Sequence, residues 1–193
     1  MSWIRDPDPD DPAVRALYDA DAAAAGYVHR YTRVFGHRPD VYRAWAGLNG
    51  AIKASMAARH YELATLAAAM RLRSSYCALA HGQVLVDRLG AADEVRALVS
   101  GRAAALDETD AAVVRLAAKV AAGAADMEPD DLTELRELGW ADEDILDVVL
   151  AAAARCFFST VLDAVGAQPD AAYRAMDPEL RDGLTVGRPI AEE

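Results

Sequence analysis

Positive charge is scarce in this chain. Twenty lysines and arginines stand against 31 aspartates and glutamates in 193 residues, for a formal net charge of -11. A chain so acidic repels phosphate backbones and anionic lipid, so neither nucleic acid nor a membrane surface is an expected partner. Aromatic residues are also few, at 7%, and no basic stretch carries interleaved aromatics. Cysteine occurs only twice, at Cys77 and Cys156. Two thiols do not make a disulfide framework. With four scattered histidines they offer no C-x2-C or H-E-x-x-H spacing, so no metal or cofactor is expected. Sustained period-2 alternation, a glycine-rich phosphate loop and a strict internal repeat are all lacking, which argues against a sheet, a nucleotide cradle and a solenoid.

Long uninterrupted apolar runs are missing too. The best, Ile145–Val165, is broken by Asp147, Arg155 and Asp163. The first ten residues are acidic and rich in proline, unlike a signal peptide. A cytoplasmic location is the expectation.

What the chain does contain is apolar residue, 53% of it, much of that alanine. Alanine is the strongest helix former and lets helices approach closely. The reading is all-α. Residues 1–12 form an acidic N-terminal arm, residues 13–176 a single all-α domain, and residues 177–193 a C-terminal arm. Helices are expected from near Pro12, over Asp40–Lys53, Met56–Met70, Ser75–Leu89, Asp107–Ala122, Pro129 to Gly139, and Asp142–Val165.

The segment Ser74-Ser75-Tyr76-Cys77-Ala78-Leu79-Ala80-His81 carries the chemistry. If Ser74 or Ser75 caps a helix, Cys77 falls in the first turn, where free N–H groups favour a thiolate. Arg71 and Arg73 lie just upstream and could add to that field. His81, four residues on, shares a helical face with Cys77, as a base shares a site with a nucleophile. The plain alternative is a small core cysteine in an alanine-rich helix. Glu62 lies on the preceding helix beside Leu63 and Leu66, where a carboxylate needs a partner. A helix returning to place His81 opposite Glu62 would supply one, and Glu62 could then orient the imidazole; otherwise it is a solvated glutamate. His60 does not share a helical face with Glu62. His29 and His37 read as surface or interface groups, and Tyr31, Tyr42 and Trp45 as core or pocket lining.

The order Glu62, Ser74-x-x-Cys77, His81 resembles the E-x11-C-x2-C-x3-H signature of the alkylhydroperoxidase D-like / carboxymuconolactone decarboxylase family. Tyr61-Glu62-Leu63-Ala64-Thr65-Leu66-Ala67 resembles the family's motif helix. The segment from Glu137 to Ile145 resembles the one that opens its later long helix. The resemblance covers roughly residues 40–170. It implies an AhpD-like helical bundle intertwined in a homo-oligomer (dimer, trimer or hexamer), with Cys77 attacking a small hydroperoxide and His81 and Glu62 relaying protons. Ser74, Tyr76 and Arg73 would be auxiliary.

One departure matters. Ser74 stands at the first motif cysteine, so the C-x-x-C disulfide cannot form. Three expectations follow. Cys77 cycles through a sulfenic acid reduced by an external thiol. Or Cys156 resolves it, which needs the two Cα atoms within about 7 Å; the apolar surroundings of Cys156 favour a buried structural thiol instead. Or redox chemistry is lost. The leading function is a thiol-dependent, peroxidase-like oxidoreductase. The alternatives are a non-redox lyase on a carboxylated lactone, with Arg71 or Arg73 holding the carboxylate, and a non-catalytic oligomer.

Overall fold

The computed structural model describes residues 2–192. Among them are ten α-helices and no strand: α1 Pro12–Ala25, α2 Arg30–Phe35, α3 Pro39–Ser55, α4 Ala58–Arg71, α5 Ser75–Leu89, α6 Ala92–Val99, α7 Glu108–Gly123, α8 Thr133–Glu137, α9 Asp142–Ala164 and α10 Pro178–Leu184. Acidic side chains cap the starts of α1, α7 and α10. Asp11 accepts from Ala13 N–H at 2.8 Å and Asp107 from Asp110 N–H at 2.8 Å, each satisfying a donor that has no partner within its helix. α1 and α5 stop at Gly26 and Gly90, both left-handed, with φ of 84° and 65°.

α4 is the axis of the molecule and packs against α5, α7 and α9. Every residue from Tyr61 to Ala69 is buried. Its apolar residues therefore form no single stripe, because neighbours surround it on several sides. Alanine at 64, 67, 68 and 69 lets three helices close on one. The start of α4 is tied down by Arg59, which bonds buried Asp110 on α7 and Glu94 on α6 at 2.5 Å and 2.8 Å. Removing Asp110 alone would leave a guanidinium with half its partners.

Three helices were not read from sequence: α2, α6 and α10. α2 is six residues long, too short for periodicity to show, yet it buries Val34 and Phe35. α6 lies in a stretch whose few apolar residues, Val95, Ala97 and Leu98, become buried. The expected Pro129–Gly139 helix is split into a 3₁₀ turn, Pro129–Leu132, and α8.

The expected C-terminal arm is packed rather than projecting. α10 lies on α5 and α6, with Leu180 and Leu184 buried. Beyond it, Gly187 donates its N–H to Ser75 Oγ at 2.7 Å. The approach is so close that a Cβ on Gly187 would stand 2.0 Å from the Arg73 carbonyl oxygen. The tail thus presses on the turn that opens α5. At the other end, the N-terminal segment lays Trp3 over Gly166, and Arg188 over Trp3 at 4.4 Å.

α9 is long and apolar enough to cross a bilayer by length and composition, but half of that stretch is buried in the bundle. It is the bundle's longest core helix. Its outer face leaves Leu146, Leu150 and Phe157 exposed, and α3 buries only Ile52 while exposing Val41 and Leu48.

Candidate active site

α5 begins where the α4 helix ends in a tight turn, with Arg73 in the left-handed region at φ 58°. Ser74 occupies the N-cap position, but its hydroxyl makes no capping bond. Ser75 does not cap either, since its hydroxyl accepts the Gly187 N–H. The capping expectation is corrected on both residues: the tail takes one serine, and Ser74 is turned inward beside Asp163. Cys77 still falls in the first turn of α5, among N–H groups with no intrahelical acceptor. Its side chain is buried, 2% exposed.

His81 lies one turn further along the same face. Its Nδ1 is 2.5 Å from Glu62 Oε2, and both residues are buried. The other oxygen of Glu62 is 3.4 Å from Lys53 Nζ, which arrives from α3 and also covers the Tyr61 ring. Tyr61 donates its hydroxyl to Asn49 Oδ1 at 2.7 Å and sets its ring edge-on to His81. Burial pushes His81 down to about 4, the Arg155 charge pushes the same way, and the bond to Glu62 opposes both. Burial pushes the Glu62 carboxyl up, but His81 and Lys53 outweigh it and hold it below its ordinary value. A neutral ring and an ionised carboxylate satisfy both directions. His81 then donates Nδ1–H to Glu62 and keeps a lone pair on Nε2, the state of a base.

This arrangement makes acid a destabiliser. The native ring takes no proton until about pH 4, whereas the unfolded ring, near its ordinary value of 6.5, takes one below that. The unfolded chain therefore binds more protons between the two, and stability falls as pH drops through that window, by about 3 kcal/mol in full. Glu62 adds a loss of the same sign lower down. Urea midpoints at pH 7 and pH 5 should drop for the parent protein and drop less for His81→Gln. Equal drops would mean that the ring is charged in the native state.

A second cation closes the site. Arg155, on α9, is fully buried with Nη1 3.5 Å from Cys77 Sγ. The aromatic rings of Phe158 and Trp45 lie 5.4 Å and 6.0 Å from its guanidinium carbon. Sequence reasoning missed it, treating Arg155 as an interruption of an apolar run. The signal was present: a charge inside such a run needs a buried partner.

The remaining residues fall elsewhere. Arg71 is exposed. Arg73 is also exposed and donates to the Val186 carbonyl at 3.3 Å, so its auxiliary role is corrected: it anchors the tail, and the cation against the sulfur comes from α9. Tyr76 is a strut. Its hydroxyl donates to buried Asp170 and accepts Tyr31 N–H, tying α5 to α2 and to the segment after α9. His29 pairs with Asp21 at 2.8 Å and His37 with the Arg5 carbonyl at 2.7 Å. His60 faces Asp110 and Trp140. Cys156 is half-buried rather than buried, is a free thiol, and leaves α9 about 100° round from Arg155. A cleft of about 750 Å³ between the N-terminal segment and Tyr27, Arg30, Arg33 and Asp170 does not include Cys77. No group of three or more potential metal ligands gathers among the described residues.

The sequence matches no family model and no curated relative. Solved structures do match. An uncharacterised peroxidase-related protein from Ralstonia eutropha JMP134, described as an alkylhydroperoxidase AhpD core, is 24% identical with a TM-score of 0.74, over 91% of this chain and 96% of that one. The fold is that of the AhpD core. A peroxidase-related protein from Silicibacter sp. TM1040 gives a TM-score of 0.76 at 21% identity, over 91% and 95% of the two chains. The debrominase Bmp8, solved with 2,3,4-tribromopyrrole, gives 0.73 at 16%, over 92% and 94%. The AhpD-like bundle accounts for the crossing of α4, α5 and α9 that brings Glu62, His81, Cys77 and Arg155 together.

Proposed function

We propose that this protein is a single-cysteine thiol peroxidase acting on small hydroperoxides. The observation that supports it best is a neutral imidazole, held by a buried carboxylate, on the same helical face as a buried thiol in a first turn. His81 Nε2 takes the Cys77 proton. The thiolate attacks the terminal oxygen of R–O–OH, an S–O bond forms, and the O–O bond breaks. The electron pair leaves on RO⁻, and protonated His81 returns the proton, giving Cys77–SOH and ROH. Glu62 keeps the ring oriented and balances its transient charge.

Ser74 supplies no second thiol, so reduction falls to an external one. The first thiol R′SH displaces water to give Cys77–S–SR′, and a second releases R′SSR′ and the free cysteine. The nearly closed sulfur favours a small substrate over a bulky one. Treating the reduced protein with hydrogen peroxide and trapping sulfenic acid for mass spectrometry tests this reading. An adduct on Cys77 supports it, and a folded protein without one rejects it. The lactone reading loses its sequence-based carboxylate clamp, since Arg71 and Arg73 both lie at the exposed end of the turn.

The outer faces of α3 and α9 support a homo-oligomer. Val41 and Leu48 on one, with Leu146, Leu150 and Phe157 on the other, leave apolar side chains on two helices that touch each other. Sedimentation at micromolar concentration should show an assembly larger than one chain; a monomer would remove this proposal.

A further inference from the structure

Arg155 poses a problem that the proton relay does not solve. A guanidinium fully removed from water requires an anion or a full set of acceptors. The nearby carboxylates are engaged: Glu62 by His81 and Lys53, Asp170 by Tyr76 and the Arg30 N–H, and Asp110 by Arg59. What faces the guanidinium is the Cys77 sulfur and the Tyr61 hydroxyl. Tyr61 donates its O–H to Asn49 Oδ1 and so offers Arg155 a neutral oxygen. Burial works to strip the guanidinium of its proton, yet Cys77 and Tyr61 outweigh it, so the charge is kept.

Hydrogen-bonding capacity around Arg155 is left unspent. Arg155 Nε, Trp45 Nε1 and Ser159 Oγ are all buried without a hydrogen-bond partner in the protein. Trp45 stacks on Phe158 at 4.2 Å, and both rings lie against the guanidinium. A guanidinium with Nη1 3.5 Å from the sulfur and its Nε unspent suits a sulfur that carries negative charge and then carries an oxygen. A hydrocarbon-packed structural cysteine would need no such cation.

We propose that Arg155 is a catalytic residue: its guanidinium holds Cys77 as the thiolate and, after oxygen transfer, binds the sulfenate oxygen on Sγ. The second half rests on the peroxidase reading; the first does not. His81 and Arg155 divide the work. The imidazole moves the proton, and the guanidinium, which keeps its own, balances the charge left behind. Glu62 meets the imidazole, and Lys53 meets the other oxygen of Glu62. The aromatic rings keep water from the cation, so its charge acts on sulfur with little screening.

The test uses the full chain with Cys156→Ser, which leaves Cys77 as the one thiol. Iodoacetamide alkylation at pH 7 reads the thiolate directly. Arg155→Met, whose apolar side chain suits the aromatic surroundings, should slow alkylation by about tenfold or more, and Arg155→Lys, which keeps the charge, should recover most of that loss. Trapping of sulfenic acid after peroxide should fall in parallel. An Arg155→Met protein of native helicity that alkylates at the parent rate overturns the proposal. So does a folded parent whose Cys77 reacts only in urea. If Arg155→Met does not fold, Arg155→Gln is read by the same criterion. If peroxide gives no sulfenic acid in the parent while alkylation still depends on Arg155, the peroxidase reading and the sulfenate role fail, and the thiolate role stands.

Discussion

Cys77→Ser is expected to abolish peroxide consumption, by on the order of a thousandfold or more, in an assay that supplies an external thiol. A serine hydroxyl is not ionised at neutral pH and does not attack an O–O bond. The substitution is nearly isosteric, and the new hydroxyl can accept from Arg155 as the sulfur does at 3.5 Å, so the bundle should keep its helicity and thermal midpoint within a few degrees. Cys156→Ser serves as the control. Its thiol is half-buried, and burial pushes it up, away from the thiolate. Turnover should be retained. Peroxide consumption that persists in Cys77→Ser and disappears in Cys156→Ser would move the chemistry to the other sulfur.

His81→Gln is expected to slow the reaction of Cys77 with peroxide by about a hundredfold, within the range of a lost general base. Glutamine is the informative replacement because its amide can still donate to Glu62, so the buried carboxylate is not left bare. A fall in rate with an unchanged melting profile therefore reports on proton transfer rather than folding. Because the ring is pushed down to about 4, the parent rate should hold from neutral pH toward pH 5 and fall as His81 takes a proton near pH 4. The His81→Gln protein should lack that fall. Stopped-flow measurement across this range checks both, and a parent rate that declines already near pH 6.5 would show a solvated, ordinary histidine.

Much of the site was legible along the chain because its parts are local. Cys77 and His81 are four residues apart, a spacing any helix turns into a shared face. Glu62 lies on the helix just before, and an apolar neighbourhood announces a carboxylate that needs a partner. Arg155 was not legible as a contact of Cys77. It is 78 residues away, and the crossing of α9 over α5 depends on how all the helices pack. The same holds for Lys53 and for the tail. A serine before a helix suggests a cap, but here the Gly187 N–H takes the Ser75 hydroxyl, a competition between local and distant donors that local pattern does not weigh. α2 escaped notice because six residues are fewer than two turns.

The amino-acid order by itself determined the helical class, most helix limits, and the thiol, imidazole and carboxylate of the candidate site. Those follow from propensity, periodicity and short spacings, which act within a turn or two of chain. Only the tertiary structure decided which charge meets the sulfur, which state the imidazole holds, and where the serines and the tail go. Those outcomes depend on burial and on partners brought from other helices. Desolvation acts on a group only once the chain around it has closed.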